Sequence, residues 1–319
     1  MTALPTRPRA TIVVIFLNAA DYLAEAVDSA LAQTFQDFEI ILVDDGSSDG
    51  STELAQEYAR RQSDKVRYLE HLGHVNRGMS ASRNAGVAAG GGDLIAFLDS
   101  DDVWEPCKLA EQVGLFDAHP EADLVAGAVL EWRSWQGGPD ERVSSGPIHD
   151  VVLERGEATT AVYPLGRAQA PCPSNFMVRR ALFDAVAGFE ESFRGPMQMY
   201  EDQAFLSKAY LAGRPYFCDR LWAKYRIHDR SCMAVYKTGH YGETRRQFLQ
   251  WLRGHLKTTR VRNPRVWMAL WWAELPYRNP RLDAFVQSAL VQNVFARKLY
   301  RRLGRSLRSF RPGAAAGPS

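Results

Sequence analysis

Short apolar runs alternate with helix-spaced positions through the first part of the chain. Thr11 to Leu17, Phe38 to Val43, Val66 to Glu70 and Leu94 to Leu98 are rich in strand-forming residues. Between the first two, Leu23, Val27 and Leu31 recur at helical spacing, and Met79 to Ala89 is rich in helix-tolerant alanine. The order β-α-β-α-β-α-β predicts an α/β fold with a mostly parallel central sheet flanked by helices. Further on the pattern weakens, and Gln136 to Gly146, rich in glycine and charge, reads as an exposed loop. Order returns at Asn175 to Val178, at Gly188-Phe189, at a helical pattern opened by Glu201-Asp202, and at Tyr225-Arg226-Ile227-His228. From about Tyr241 the chain reads as helical and basic, with breaks near Asn263-Pro264 and Asn279-Pro280.

Composition adds limits. A chain of 319 residues can hold one large α/β domain with a helical extension, and 46% apolar with 24% charged residues is ordinary for a globular protein. Four cysteines without a CxxC pair argue against a zinc site or a disulfide framework. The run Ile12 to Leu17 is too short to cross a bilayer and has no cleavage pattern behind it, so a cytoplasmic protein is expected.

Charge is unevenly placed. From His240 onward there are 16 Lys or Arg against 3 Asp or Glu, which leaves 23 basic and 34 acidic residues in the preceding 239. The acidic bulk excludes nucleic acid as a partner. The tail carries Trp251, Trp267, Trp271 and Trp272 among its arginines, a mixture suited either to the inner face of an anionic membrane or to a helical cap packed on the rest.

Ligands of such sheets collect at the carboxyl ends of the strands, and two acid-rich loops fall there, Asp44 to Gly50 and Asp99-Ser100-Asp101-Asp102. Alternate carboxylates around one small volume suit a divalent cation, Mn²⁺ or Mg²⁺, shared with substrate phosphates. An EF-hand is excluded: counting from Asp99, the sixth residue is Trp104 and the twelfth Ala110, and in the earlier loop the twelfth is Gln56. No GxxxxGK[ST] loop occurs, nor a GxGxxG after a strand. The first strand is followed by Asn18-Ala19-Ala20-Asp21, not by the Gly-rich basic loop of a nucleotidyltransferase.

The ordered series Val13 to Asn18, Asp21-Tyr22-Leu23, Val43 to Ser47, Asn76-Arg77-Gly78, Ala81 to Gly86, Phe97 to Asp102, Gly188-Phe189, Glu201-Asp202 and Tyr225 to His228 resembles family 2 of the glycosyltransferases, inverting enzymes of GT-A fold. The resemblance runs from about Ala10 to Met233. It implies a Rossmann-like catalytic domain over residues 1–235, with a nucleotide-sugar half at about 10–103 and an acceptor half at about 104–235, and a helical extension over 236–319. It implies a nucleoside-diphosphate sugar as donor, UDP-linked by preference, and a glycan or lipid-linked acceptor. Asp202 is then the base; Asp44 or Asp45 meets the nucleobase, Arg83 lies near the donor, Asp99 holds the ribose, and Asp101 with His228 holds the metal. Phe16 belongs to the donor side, and Glu201, Asn18 and Asp102 are secondary candidates. The chain departs from the family where Ile15-Phe16-Leu17 replaces a Pro-Thr-Tyr before Asn18, so one stacking surface for the base is missing. A competing expectation is an inactive nucleotide-sugar binder or membrane-surface scaffold, whose usual mark is loss of Asp101 or Asp202.

Overall fold

The computed structural model describes residues 7–279 and 281. Its strands are β1 (Ala10–Phe16), β2 (Phe38–Asp44), β3 (Val66–Glu70), β4 (Leu94–Asp99), β5 (Val103–Trp104), β6 (Leu124–Trp132), β7 (Glu141–Val143), β8 (Val151–Val152), β9 (Phe176–Arg179) and β10 (Pro215–Arg226). The helices are α1 (Leu23–Leu31), α2 (Ser51–Arg61), α3 (Met79–Ala89), α4 (Lys108–Ala118), α5 (Glu157–Ala161), α6 (Arg180–Ala185), α7 (Glu201–Ala212), α8 (Cys232–Thr258) and α9 (Pro264–Arg278).

These strands form one mixed sheet in the order β3-β2-β1-β4-β9-β6-β10-β5, with β7 beside β6 and β8 beside β10. Pairings among β1 to β4 are all parallel, as is β6 with β10, while β9 runs antiparallel to both β4 and β6. Alternation of side chains explains why the first strands are apolar throughout. In β1, Ile12, Val14 and Phe16 enter one core cluster and Val13 and Ile15 the other; in β2, Ile40 and Leu42 part from Ile41 and Val43 in the same way. The sheet is therefore covered on both faces.

From β1 the chain steps outward to β2 and β3, then returns to place β4 on β1's other side. That reversal opens a crevice at the strands' carboxyl ends. Register sets its floor, since Phe16 pairs with Asp44 and Ile15 with Asp99, so both acid-rich loops leave the sheet at one level.

The predicted strands and the helix Met79–Ala89 agree with the structure to within a residue at each end. Two segments differ. The stretch read as a loop, Gln136 to Gly146, contains the short strand β7 paired with β6. Helix α8 begins at Cys232 rather than near Tyr241, because Ser231 caps it by accepting a hydrogen bond from the Ala234 N–H at 3.2 Å. A compact unit ends at Leu270 and a second begins at Trp271. In the second, the Trp271 and Trp272 rings meet edge to face at 5.1 Å and Glu274 pairs with Arg278. No described helix is long and apolar enough to cross a membrane.

Candidate active site

Helix α3 brings the separate motifs together. Gly86 lets it lie directly on the sheet, since a side-chain carbon there would run into Val13. One turn earlier, Arg83 is 1% exposed and reaches over the strand ends. Its guanidinium donates to Asp99 Oδ1 at 2.5 Å and to Glu201 Oε1, and lies 5.3 Å from the centre of the Phe189 ring. Beside it, Asn84 and Phe189 bond reciprocally: the Phe189 N–H donates to Asn84 Oδ1 at 2.9 Å, and Asn84 Nδ2 to the Phe189 carbonyl at 3.0 Å. Two neighbouring side chains of one helix thus hold Asp99, Phe189 and Glu201, residues far apart in sequence.

On the β4 side, Asp101 and His228 meet, with Nε2 2.9 Å from Oδ2, while the imidazole's Nδ1 is buried with no hydrogen-bond partner among the described residues. Arg226, 4% exposed, fixes the strand end that carries His228. It donates from Nε to the Asp101 carbonyl at 2.7 Å and from Nη2 to Glu25 Oε2 at 2.5 Å, and its backbone N–H donates to Asp102 Oδ1 at 3.0 Å. Its guanidinium also lies 4.2 Å from the Trp132 ring centre and 5.1 Å from that of Tyr22. Among the described residues, the second oxygen of Asp102 is buried without a hydrogen-bond partner.

Asp202 stands in the first turn of α7, partly exposed, and among the described residues its oxygens accept from Gln203 alone, at 2.6 Å from the backbone N–H and 3.3 Å from Nε2. Lost hydration pushes its carboxyl up to about 6, against the pull of Gln203 and Arg83. Glu201 is driven up to about 8 by burial, which outweighs Arg83 and is reinforced by Asp202 and Asp99. Burial also raises Asp99 despite Arg83, and raises Asp102 strongly, with Asp101 adding to both. Crowded carboxylates short of partners are what a cation or a substrate hydroxyl would relieve. Tyr200, the residue before Glu201, is held from the far side, its hydroxyl 2.7 Å from that of Tyr163, which in turn is 3.0 Å from that of Tyr241 on α8.

The nucleotide side is organised differently. Asp44, fully buried, accepts from the N–H groups of Gly46 and Ser47 at 3.1 and 2.8 Å and from Thr52 Oγ1 and Tyr68 OH at 2.5 and 3.3 Å. Asp45 accepts from the N–H groups of Arg77 and Gly78, at 2.6 Å and 3.0–3.1 Å. Their carboxylates stitch the pocket's own loops. Asn18 does likewise: at φ 50°, tolerable for asparagine, it accepts from Ser48 N–H at 2.7 Å while its own N–H donates to Ser47 Oγ at 3.1 Å. The Phe16 ring is in the core, and its carbonyl accepts from the Asp45 N–H at 2.9 Å. What Phe16 offers the pocket is backbone.

The structure thus joins Arg83, Asp99 and Glu201 in one cluster and Asp101, Asp102 and His228 in another, with Asp44, Asp45, Asn18 and Phe16 shaping the far wall. Sequence reading missed Ser174, whose Oγ accepts from the Asp99 N–H at 3.1 Å, and gave no role to Arg226, although Arg226 lies inside a quoted motif. No local signal marks Ser174. Among the described residues, no three His, Cys, Asp or Glu side chains stand so as to enclose a metal by themselves.

Comparisons with known proteins bear on this arrangement. The profile of a family described as Glycosyl transferase family 2 matches residues 11–187, more than half of the chain. An uncharacterized glycosyltransferase of Nostoc sp. is 40% identical over 157 residues, covering 46% of this chain and 46% of its own. The chain spans about half the length of that relative. Among solved structures, S. aureus TarS 1–349 in complex with UDP-GlcNAc superposes with a TM-score of 0.57 at 21% identity, covering 76% of this chain and 65% of TarS. The mannosyltransferase PcManGT from Pyrobaculum calidifontis, in complex with GDP-Man and Mn²⁺, does so with a TM-score of 0.56 at 19% identity, covering 97% of this chain and 82% of that one. At such identities these two likenesses establish the fold, which is GT-A.

Proposed function

The chain belongs to glycosyltransferase family 2, and from that premise we propose that it moves a sugar from a nucleoside diphosphate to an acceptor hydroxyl with inversion. One observation carries the reading: Asp202, partly exposed and raised to about 6, adjoins the Arg83–Asp99–Glu201 cluster. A carboxylate with that affinity for protons accepts one from an attacking hydroxyl near neutral pH. The oxygen so freed forms its bond to the anomeric carbon as the bond to the diphosphate breaks, and a single in-line displacement inverts the centre. Arg83 keeps Asp99 and Glu201 in place beside the donor, and Asp45 holds the 77–78 turn that borders the nucleotide.

Asp101 and His228 would hold Mn²⁺ or Mg²⁺. The pair supplies one oxygen and one nitrogen ligand, and the remaining positions suit diphosphate oxygens, which accords with the lack of an all-protein cage among the described residues. When bound, the cation would neutralise charge developing on the leaving diphosphate. UDP-GlcNAc in TarS and GDP-Man in PcManGT support a nucleotide-sugar donor, and we favour a UDP-sugar. For the acceptor we favour a glycan or lipid-linked hydroxyl in polysaccharide assembly. For the segment after residue 235 two readings stand: Trp251, packed against Phe193 and Phe248, supports a helical cap for α8, while the basic charge and the exposed Trp271 and Trp272 support peripheral contact with the inner face of a membrane.

The test is thermal unfolding with UDP, dTDP, GDP and CDP, each with and without Mn²⁺. At about 100 times its dissociation constant a ligand adds roughly 2.7 kcal/mol to the folded state, a readily visible shift. Stabilisation by one nucleotide only with metal is expected. No stabilisation by any of the four would contradict the reading and favour an inactive scaffold.

A further inference from the structure

Charge accounting around the crevice leaves a deficit. The carboxylates of Asp99, Asp101, Asp102, Glu201 and Asp202 gather there, yet the two buried arginines among them are already engaged. Arg83 uses both arms on Asp99 and Glu201, and Arg226 spends its guanidinium on Glu25 and the Asp101 carbonyl. A diphosphate arriving at this site needs cationic donors beyond a metal; Arg83 cannot turn to it without stranding the buried Glu201, and Arg226, itself 4% exposed, would have to give up the Asp101 carbonyl that it holds.

Arg230 is differently placed. It follows His228 by two residues, and its guanidinium lies 5.5 Å from the centre of the Tyr22 ring, the ring whose centre is 5.1 Å from that of His228. Its bonds go to Asp21 Oδ2 at 2.7 Å and the Tyr22 hydroxyl at 3.0 Å, and both members of the Asp21–Arg230 pair are 66% exposed. A pair so open to water is easily exchanged, whereas a guanidinium meets phosphate oxygens through two parallel bonds.

We infer that Arg230 is a further donor-binding residue, which leaves Asp21 to pair with the diphosphate, so that Asp21 competes with the substrate for it. This rests on the nucleotide-sugar reading above. It makes an unusual demand: removing either partner of one ion pair changes ligand affinity in opposite directions. If the pair were only a clasp on the 226–230 segment, both removals would act alike.

The experiment is calorimetric titration of the full chain, with Mn²⁺, against whichever of UDP, dTDP, GDP and CDP stabilises it, and against the matching nucleoside as a phosphate-free control. Arg230→Gln is expected to weaken the diphosphate by about tenfold, with Arg230→Lys recovering part of the loss and the nucleoside unaffected. Asp21→Asn is expected to tighten the diphosphate by about two- to fivefold, and to lose that gain when combined with Arg230→Gln. Equal affinity in wild type and Arg230→Gln, weakening by both single substitutions, or a gain from Asp21→Asn that persists without Arg230 would overturn the assignment alone. If the wild-type chain takes up none of the four nucleotides, the reading beneath it falls as well.

Discussion

Asp44 ends β2 with Asp45 next, Asp99 ends β4 with Asp101 and Asp102 just beyond, and the two strands flank β1 at the same level, yet their carboxylates live differently. Those after β2 accept hydrogen bonds from Gly46, Ser47, Thr52, Tyr68, Arg77 and Gly78, mostly backbone N–H groups that would otherwise be unpaired. Those after β4 crowd against one another, Asp102 keeps a buried oxygen with no hydrogen-bond partner among the described residues, and burial raises both Asp99 and Asp102. A saturated carboxylate holds the chain in shape, while an under-partnered one stores electrostatic cost that a ligand can release.

The comparison breaks most visibly at Asp202. Asp202→Asn is expected to lower kcat by about 10²- to 10⁴-fold while nucleotide and metal still bind, read from product release and from titration. In the wild type, kcat/KM should rise as pH climbs through about 6, where Asp202 ionises, and the variant should lack that limb. Unchanged turnover would move the base elsewhere. Next in size, Asp101→Asn should weaken metal-dependent nucleotide binding by about tenfold or more and leave the ligand-free protein as stable as before, since a crowded carboxylate has gone.

Asp45→Ala should do the reverse. It strands the N–H groups of Arg77 and Gly78, at a cost of about 1–3 kcal/mol in unfolding free energy, and Asp45→Asn should recover part of it because its amide oxygen still accepts. The smallest effect concerns Glu201. Its folded carboxyl, raised to about 8, keeps a proton that the unfolded chain releases in the ordinary carboxylate range, so stability is full below that range and falls as pH rises through about 8. Glu201→Gln should flatten that dependence with little change in unfolding temperature at acid pH.

Much of this was legible in sequence because it is local. The strands β1 to β4 are continuous apolar runs between polar breaks, and both acid-rich loops follow directly from them. The start of α7 was legible from Glu201-Asp202 opening a helical pattern. What stayed hidden depends on tertiary partners. Nothing near Asp44 in the chain announces that Thr52 and Tyr68 consume its second oxygen, and nothing near Arg83 announces that both its arms end on carboxylates. Phe16 follows the same rule, since strand parity sends its ring into the core and leaves only its carbonyl at the pocket. The short strand β7 escaped because glycine and charge surround it, and it exists by pairing with β6.

The most direct measurement is thermal unfolding of Asp45→Ala and Asp101→Asn side by side, each with and without Mn²⁺ and the stabilising nucleoside diphosphate. The account predicts a crossing: Asp45→Ala melts early without ligand, while Asp101→Asn melts with the wild type and loses the ligand-induced gain. If Asp101→Asn melts early instead and still gains as the wild type does, the carboxylates after β4 are structural and the assignment of the site is wrong.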